Sequence, residues 1–190
     1  QQVLTLPSIL RAFGVPRDGA LVVHSAIATL SRQGVRAEDM IESVLDYMAD
    51  GDVFVPTMTW RTVTPAQPTW DEIKTPSHTG VLSEMFRKNY ATVRSIHPTH
   101  SVAGRGPNAA LVLSRHHLDT KPVSANSPYG LLRDYDTHIL LLGVGLESCT
   151  AIHLPEETIN YVPQIVAFAL VSANRTRFGL DMPELVTPLE

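Results

Sequence analysis

The stretch ILLLGVGLESCTAIHLPEE, residues 139 to 157, sets an apolar run, Ile139 to Leu142, against a halt at Gly143-Val144-Gly145. His153 follows after a small polar segment, with Glu156 and Glu157 just beyond it. A short apolar run closed by glycines predicts a buried strand ending in a tight turn. In an open α/β sheet, ligands collect in the crevice beyond the carboxyl ends of the strands. This segment therefore carries an imidazole and a carboxylate to the place where chemistry is expected.

Two earlier stretches repeat the pattern. Gly19-Ala20-Leu21-Val22-Val23 predicts a strand breaking into His24-Ser25, and Asp52 to Val55 a second one ending in Pro56-Thr57-Met58-Thr59-Trp60. If the two run parallel, as short βαβ units require, both finish in polar groups at one edge. Helical spacing appears over residues 3 to 13. It returns over 34 to 48, with Ile41, Val44, Leu45 and Met48 on one face. It appears again over 80 to 90, with Thr79 as N-cap and Val81, Leu82, Met85 and Phe86 toward the core. Ser101 to Gly104 reads as a short strand, Pro107 to Leu113 and Leu131 to Tyr135 as brief helices, and Ile165 to Val171 as a β-like run. Between Arg61 and Gly80 lie three prolines and no sustained periodicity, a loop long enough to be functional or mobile. The alternation of strands and helices argues a single α/β domain over residues 1–190.

Composition narrows the class further. With 44% hydrophobic and 18% charged residues, the chain has an ordinary globular make-up, and its net charge of −4 gives no general attraction to nucleic acid or anionic membrane. A lone cysteine excludes an internal disulfide framework. No apolar run approaches a membrane span, and the N-terminus lacks a basic-then-apolar leader, so a cytoplasmic protein is the expectation. Among eight histidines there is no H-E-x-x-H pair, and no metal is expected. His78, His100, His116, His117 and His138 read as surface polar residues. Trp60 and Trp70 flank the long loop and read as aromatic anchors, with stacking on a ligand as the alternative. Asp71 and Glu72 read as solvated.

Six segments occur in order: HSAIATL (24–30), VPTMTW (55–60), TGVLSEMFR (79–87), RSIHPTHSVAGRGP (94–107), NSPYG (126–130) and LLLGVGLESCTAIHLPE (140–156). Together they resemble the coenzyme-A-dependent aminoglycoside 3-N-acetyltransferases over about residues 5 to 160. The resemblance implies a three-layer α/β sandwich with a central mixed or mostly parallel sheet. It also implies transfer of acetyl from acetyl-CoA to an amino group of an aminoglycoside or related amine, as in antibiotic resistance, with a homodimer left open. By the same resemblance, the His24-Ser25 and Ser127 turns lie along the coenzyme. His153 and Glu156 match the family's H-L-x-E segment, and Arg94, His97 and Ser101 match an R-S-x-H-P-x-x-S block bordering the cleft. Antibiotic-modifying members continue well past H-L-x-E into a portion that helps build the acceptor pocket, so the donor is the better constrained substrate.

The chemistry suits these residue types. A primary amine is mostly protonated at neutral pH, and histidine, with an ordinary pKa of roughly 6.5, can free its lone pair as general base. His153 either does this or caps a helix. Glu156 either orients the imidazole, as carboxylates do in hydrolase triads, or complements the dipole of a helix starting at Pro155. Oxyanion donors would be backbone N–H groups of the 143–151 turn or a hydroxyl such as Thr57. His97 is a second acid/base, a positioning group, or a histidine bonded within its own Pro-containing turn. Two other functions compete. One is a CoA- or partner-binding domain without turnover. The other is an acyl hydrolase using Cys149, four residues before His153, as nucleophile.

Overall fold

The computed structural model of the protein describes residues 5–32, 34–150 and 164–168. Its six strands are β1 (Ala20–Ser25), β2 (Asp52–Pro56), β3 (Val93–Arg94), β4 (Val102–Arg105), β5 (Thr137–Leu142) and β6 (Gln164–Phe168). They form one sheet in the order β3-β4-β2-β1-β5-β6. Strand β1 runs parallel to both β2 and β5, and β5 is parallel to β6. The β4 strand is antiparallel to β2 and to β3, which makes the sheet mixed.

Both faces of the central strands are covered, which is why they read as unbroken apolar runs and not as alternating ones. Successive side chains still divide between faces. Leu21, Val23, Val53, Val55, Leu140 and Leu142 share one core cluster with Leu10 of α1 (Leu6–Ala12), Ile41 and Val44 of α3 (Ala37–Tyr47), and Leu82 and Phe86 of α4 (Val81–Asn89). Ala20, Val22, Phe54, Ile139 and Leu141 join a second cluster with Val112 and Leu113 of α5 (Ala109–Leu113), and with Tyr129 of α6 (Pro128–Leu131). The result is a three-layer sandwich. Each fully buried aliphatic side chain contributes about 1.5–3 kcal/mol, so the middle layer, apolar on both sides, holds the other two. A short α2 (Ala28–Ser31) follows β1 directly.

Local chemistry sets the boundaries. Thr5 and Ser8 form a reciprocal capping box that opens α1. Asp52, buried at the start of β2, accepts from the Asn108 backbone N–H at 2.7 Å and from its side-chain amide at 2.9 Å, tying the strand to the entrance of α5. Gly143 closes β5 with φ of 68°, a left-handed turn that glycine makes without steric cost. Gly80 occupies the N-cap position of α4 with φ of 116°.

That last position corrects the sequence reading. Thr79 is not the cap: its hydroxyl donates to the Pro56 carbonyl at 3.0 Å, joining α4 to the end of β2. Val81, expected in the core, is 66% exposed, because the buried stripe of α4 runs through Leu82, Ser83 and Phe86. The two-residue β3 was not foreseen, since a pair of residues shows no periodicity. The predicted run at Ile165 to Val171 is a strand over Gln164–Phe168, and its remainder lies outside the described residues. Among the described residues, no helix is long and apolar enough to cross a membrane.

Candidate functional site

A cleft of about 790 Å³ opens beyond the carboxyl ends of the parallel strands. Strand β1 contributes His24 and Ser25, and β2 contributes Pro56. The long loop adds Trp60, Arg61 and His78, the start of α4 adds Gly80, Val81 and Ser83, and the segment after β5 adds Val144, Glu147, Ser148 and Thr150. Parallel β1, β2 and β5 end together, so a single edge gathers side chains from segments far apart in sequence. Among the described lining residues, Arg61 and Glu147 carry the only full charges.

His24 is 6% exposed, its Nε2 has no hydrogen-bond partner, and burial lowers its pKa to about 4. It is neutral at physiological pH. The Ser25 hydroxyl and both ring nitrogens of His78 are likewise buried without partners. Burial, then the Arg61 and His100 charges, lower the His78 pKa. Trp60, 48% exposed, braces this wall: His78 meets its ring edge-on at 4.7 Å, and the Arg61 guanidinium lies over it at 5.1 Å.

The rest of the long loop is gripped from beneath. Arg94, 5% exposed, donates from Nε to Ser101 Oγ (3.0 Å) and Thr57 Oγ1 (3.2 Å). Its Nη1 donates to the carbonyls of Glu72 (2.9 Å) and Thr75 (2.7 Å), and its Nη2 to that of Thr57 (3.2 Å). Its guanidinium stacks over Trp70 at 5.4 Å. Burial, with the nearby Arg87 charge, lowers its pKa to about 10, so it stays cationic at neutral pH. Arg87 holds the same loop from α4: it pairs with Glu84 through two bonds and donates to the Ile73 carbonyl at 2.6 Å. Glu84 in turn accepts from the Ser77 N–H at 2.8 Å. Burial would raise the Glu84 carboxyl, but these donors hold it down at about 2.

His97 belongs to a buried group of rings. Its Nδ1 accepts from the backbone N–H groups of Thr99 (3.2 Å) and His100 (3.0 Å), and the ring stacks on His116 at 4.5 Å. His116 is fully buried: Nε2 donates to the Pro122 carbonyl at 3.1 Å, which leaves Nδ1 to accept from Ser95 at 2.8 Å. Burial first, then the neighbouring histidines, lower the His97 pKa to about 4. His100 borders the cleft; His97 does not.

The remaining expected residues divide clearly. Thr57 is fully buried, and its hydroxyl is engaged with Ser101 and Arg94. Ser127 is also fully buried, where its Oγ accepts from Gly130 N–H and donates to the Ser124 carbonyl as the N-cap of α6. Neither borders the cleft. His153 and Glu156 lie outside the described residues. Cys149 is fully buried in the second core cluster. His116 and His138, read as surface groups, are 0% and 2% exposed. His78 and His100, read likewise, line the cleft. His78 and His100 lie in irregular segments and His116 opens a short 3-10 helix, so none of them carries a periodic signal of burial, whereas His138 belongs to the buried strand β5, whose apolar run could have marked it. Trp70 is the expected anchor, whereas Trp60 stands at the cleft. Among the described residues, no group of three or more His, Cys, Asp or Glu could hold a metal ion.

Fold, cleft and motif order converge on one class, and the chain belongs to the aminoglycoside 3-N-acetyltransferase family, whose sequence model matches residues 22–179. Among its relatives is the SPbeta prophage-derived aminoglycoside N(3')-acetyltransferase-like protein YokD of Bacillus subtilis (strain 168), 25% identical over 197 residues, covering 93% of this chain and 72% of YokD. Aminoglycoside N(3)-acetyltransferase IV of Salmonella sp is 31% identical over 144 residues, covering 75% of this chain and 54% of that protein. The fold resembles that of AAC-IIIb, solved as a binary complex with CoASH: the TM-score is 0.66 at 25% identity, over 80% of this chain and 63% of AAC-IIIb. The chain thus spans only 54% of the length of the Salmonella enzyme.

Proposed function

We propose that the protein transfers acetyl from acetyl-CoA to an amino group of an aminoglycoside or related amine. The observation that carries this reading is the 790 Å³ cleft at the carboxyl ends of β1, β2 and β5 in a chain of this family. Small-molecule sites are about 300–1,000 Å³. That the similar AAC-IIIb was solved with CoASH supports acetyl-CoA as the donor. The His24-Ser25 pair, which ends β1 as strand and not as the expected turn, is the coenzyme contact, with Ser25 Oγ and His24 Nε2 both unpaired at the cleft. Thr57 and Ser127 act through the backbone they hold, since their hydroxyls are engaged elsewhere.

In the reaction, the acceptor nitrogen attacks the thioester carbon while His153 takes its proton, and Glu156 keeps the imidazole oriented. The carbon–sulfur bond then breaks, and CoA departs as a thiolate that regains a proton. Backbone N–H groups after Gly143 stabilise the oxyanion between these steps. His97 is a positioning group for the Pro98 turn, because its Nδ1 already accepts two backbone N–H groups. The hydrolase alternative loses ground, since Cys149 has no exposed surface. The same reading places the protein in the cytoplasm and leaves a homodimer to sedimentation analysis.

The test is mass-spectrometric detection of acetylated product from acetyl-CoA and a panel of amines that includes aminoglycosides. His153→Ala should lower turnover by about 10²–10⁴-fold with CoA affinity nearly intact, because general-base work contributes on that scale. An unchanged turnover number removes His153 from the mechanism. Measurable CoA binding with no acetylation of any amine makes the protein a binding module instead.

A further inference from the structure

We infer that Tyr129 is a positioning residue: from the core beneath the cleft, its hydroxyl fixes Thr150 and with it the segment that runs from the end of β5 toward His153. Its effect on turnover rests on the acetyl-transfer reading, whereas its hold on the segment can be tested alone.

Tyr129 lies on α6, within the core cluster on the second face of the sheet, and is 2% exposed. Burial pushes the phenol pKa up, and the Thr150 side chain beside it opposes that rise. The hydroxyl thus faces Thr150, although no partner meets it at ordinary hydrogen-bond geometry. A phenylalanine would fill the same space without an unpaired polar atom, and leaving such an atom buried is costly. What the hydroxyl faces accounts for that cost, because Thr150 lines the cleft.

The two partners differ in how firmly they are held. Helix α6 is the fixed one: Ser127 Oγ caps it by accepting from Gly130 N–H at 3.2 Å, and a Cβ at Gly130 would run into the carbonyl oxygens of Ser124 and Ala125. Backbone lies against backbone there, which leaves the Tyr129 ring little freedom. The segment after β5 is the adaptable one. Its bonds from Ser148 N–H to the Gly145 carbonyl and from Gly145 N–H to Glu147 Oε1, both 3.1 Å, close within the segment. Cys149 belongs to the same core cluster as Tyr129, and Val144 packs against it. Apolar packing of this kind sets depth but not direction. A bond between two hydroxyls, each able to donate and accept, supplies the direction. Thr150 stands three residues before His153 in the chain, and a catalytic group misplaced by about 1 Å can cost about 10²-fold in rate.

Tyr129→Phe removes the hydroxyl and keeps the ring. The urea midpoint should stay at the wild-type value while kcat falls about 10-fold or more and KM for acetyl-CoA hardly changes, a split that a merely structural role would not produce. The amides of residues 143–150 should exchange faster with deuterium while those of the strands do not. Thr150→Val removes the hydroxyl from the other side, so the double variant should lose no more than the more damaged single one, and Thr150→Ser should keep wild-type turnover. An unchanged kcat in Tyr129→Phe overturns the inference, as do multiplying losses in the double variant, or a lowered urea midpoint with faster exchange throughout the chain. If the wild-type chain acetylates no amine, the transfer reading falls and hydrogen exchange alone decides. Unchanged protection of residues 143–150 in Tyr129→Phe overturns the contact whatever the turnover.

Discussion

Two polar regions meet at the long loop and use their hydrogen bonds in opposite ways. Beneath it, the Arg94 guanidinium donates to Thr57, Glu72, Thr75 and Ser101, and the His116 ring is bonded through both nitrogens. At its cleft face, His24, Ser25 and His78 hold buried polar atoms with no protein partner. The contrast separates scaffold from site. A satisfied buried network specifies one arrangement, whereas unsatisfied groups around a cavity are kept at the expense of stability and await a ligand. Substitutions in the first region should cost folding free energy, and those in the second should cost binding.

The largest effect should come from Arg94→Gln, which takes a buried guanidinium and its donors away from the carbonyls of Thr57, Glu72 and Thr75 and from the hydroxyls of Thr57 and Ser101. A loss of about 3 kcal/mol or more, read from urea unfolding, is expected. Arg94→Lys should not rescue it, because an ammonium cannot span the same set of acceptors. An unchanged midpoint would erase the distinction between the regions.

Acid should come next. Burial holds His24 and His97 near pKa 4 in the folded protein, against about 6.5 unfolded. Between those values the unfolded chain binds more protons, so stability is fully present above about pH 6.5 and falls as pH drops toward 4. Glu84, held at about 2, adds its own loss only below its ordinary value of 4.5. Urea midpoints at pH 7 and pH 5 should therefore differ, the lower pH being the less stable, and equal midpoints would show that these rings take up protons without strain.

Ser127→Ala should cost about 1 kcal/mol through loss of a helix cap, with little change in affinity for coenzyme. A large loss of CoA affinity with stability intact would move Ser127 from scaffold to site. The smallest stability effect belongs to His78→Leu, expected to lie within about 1 kcal/mol of wild type because no hydrogen bond is lost. A large destabilisation there would break the comparison from the other side.

How much of this was legible in the sequence follows from the same physics. Strands β1, β2 and β5 were legible because burial on both faces writes itself as consecutive Val, Ile and Leu, stopped by a polar pair, a proline or a glycine. The edge at which their polar ends gather was legible too, since parallel strands share direction. Arg94 was found through the order of its motif, but its partners were not. They are backbone carbonyls at positions 72 and 75, and a main-chain acceptor has no letter. The histidines were the hardest. His78 and His100 lie in irregular segments and His116 opens a three-residue 3-10 helix, all too short to show a period, so two line the cleft and one is sealed in the core.

Because the two guanidinium groups close on main-chain oxygens of residues 72, 73 and 75, the path of this segment is fixed independently of the side chains it displays. Residues there can drift from one lineage to another while the loop keeps its course over the sheet edge. A grip of that kind holds the segment by its main chain alone, which leaves the Ile73 side chain 79% exposed and without a structural duty.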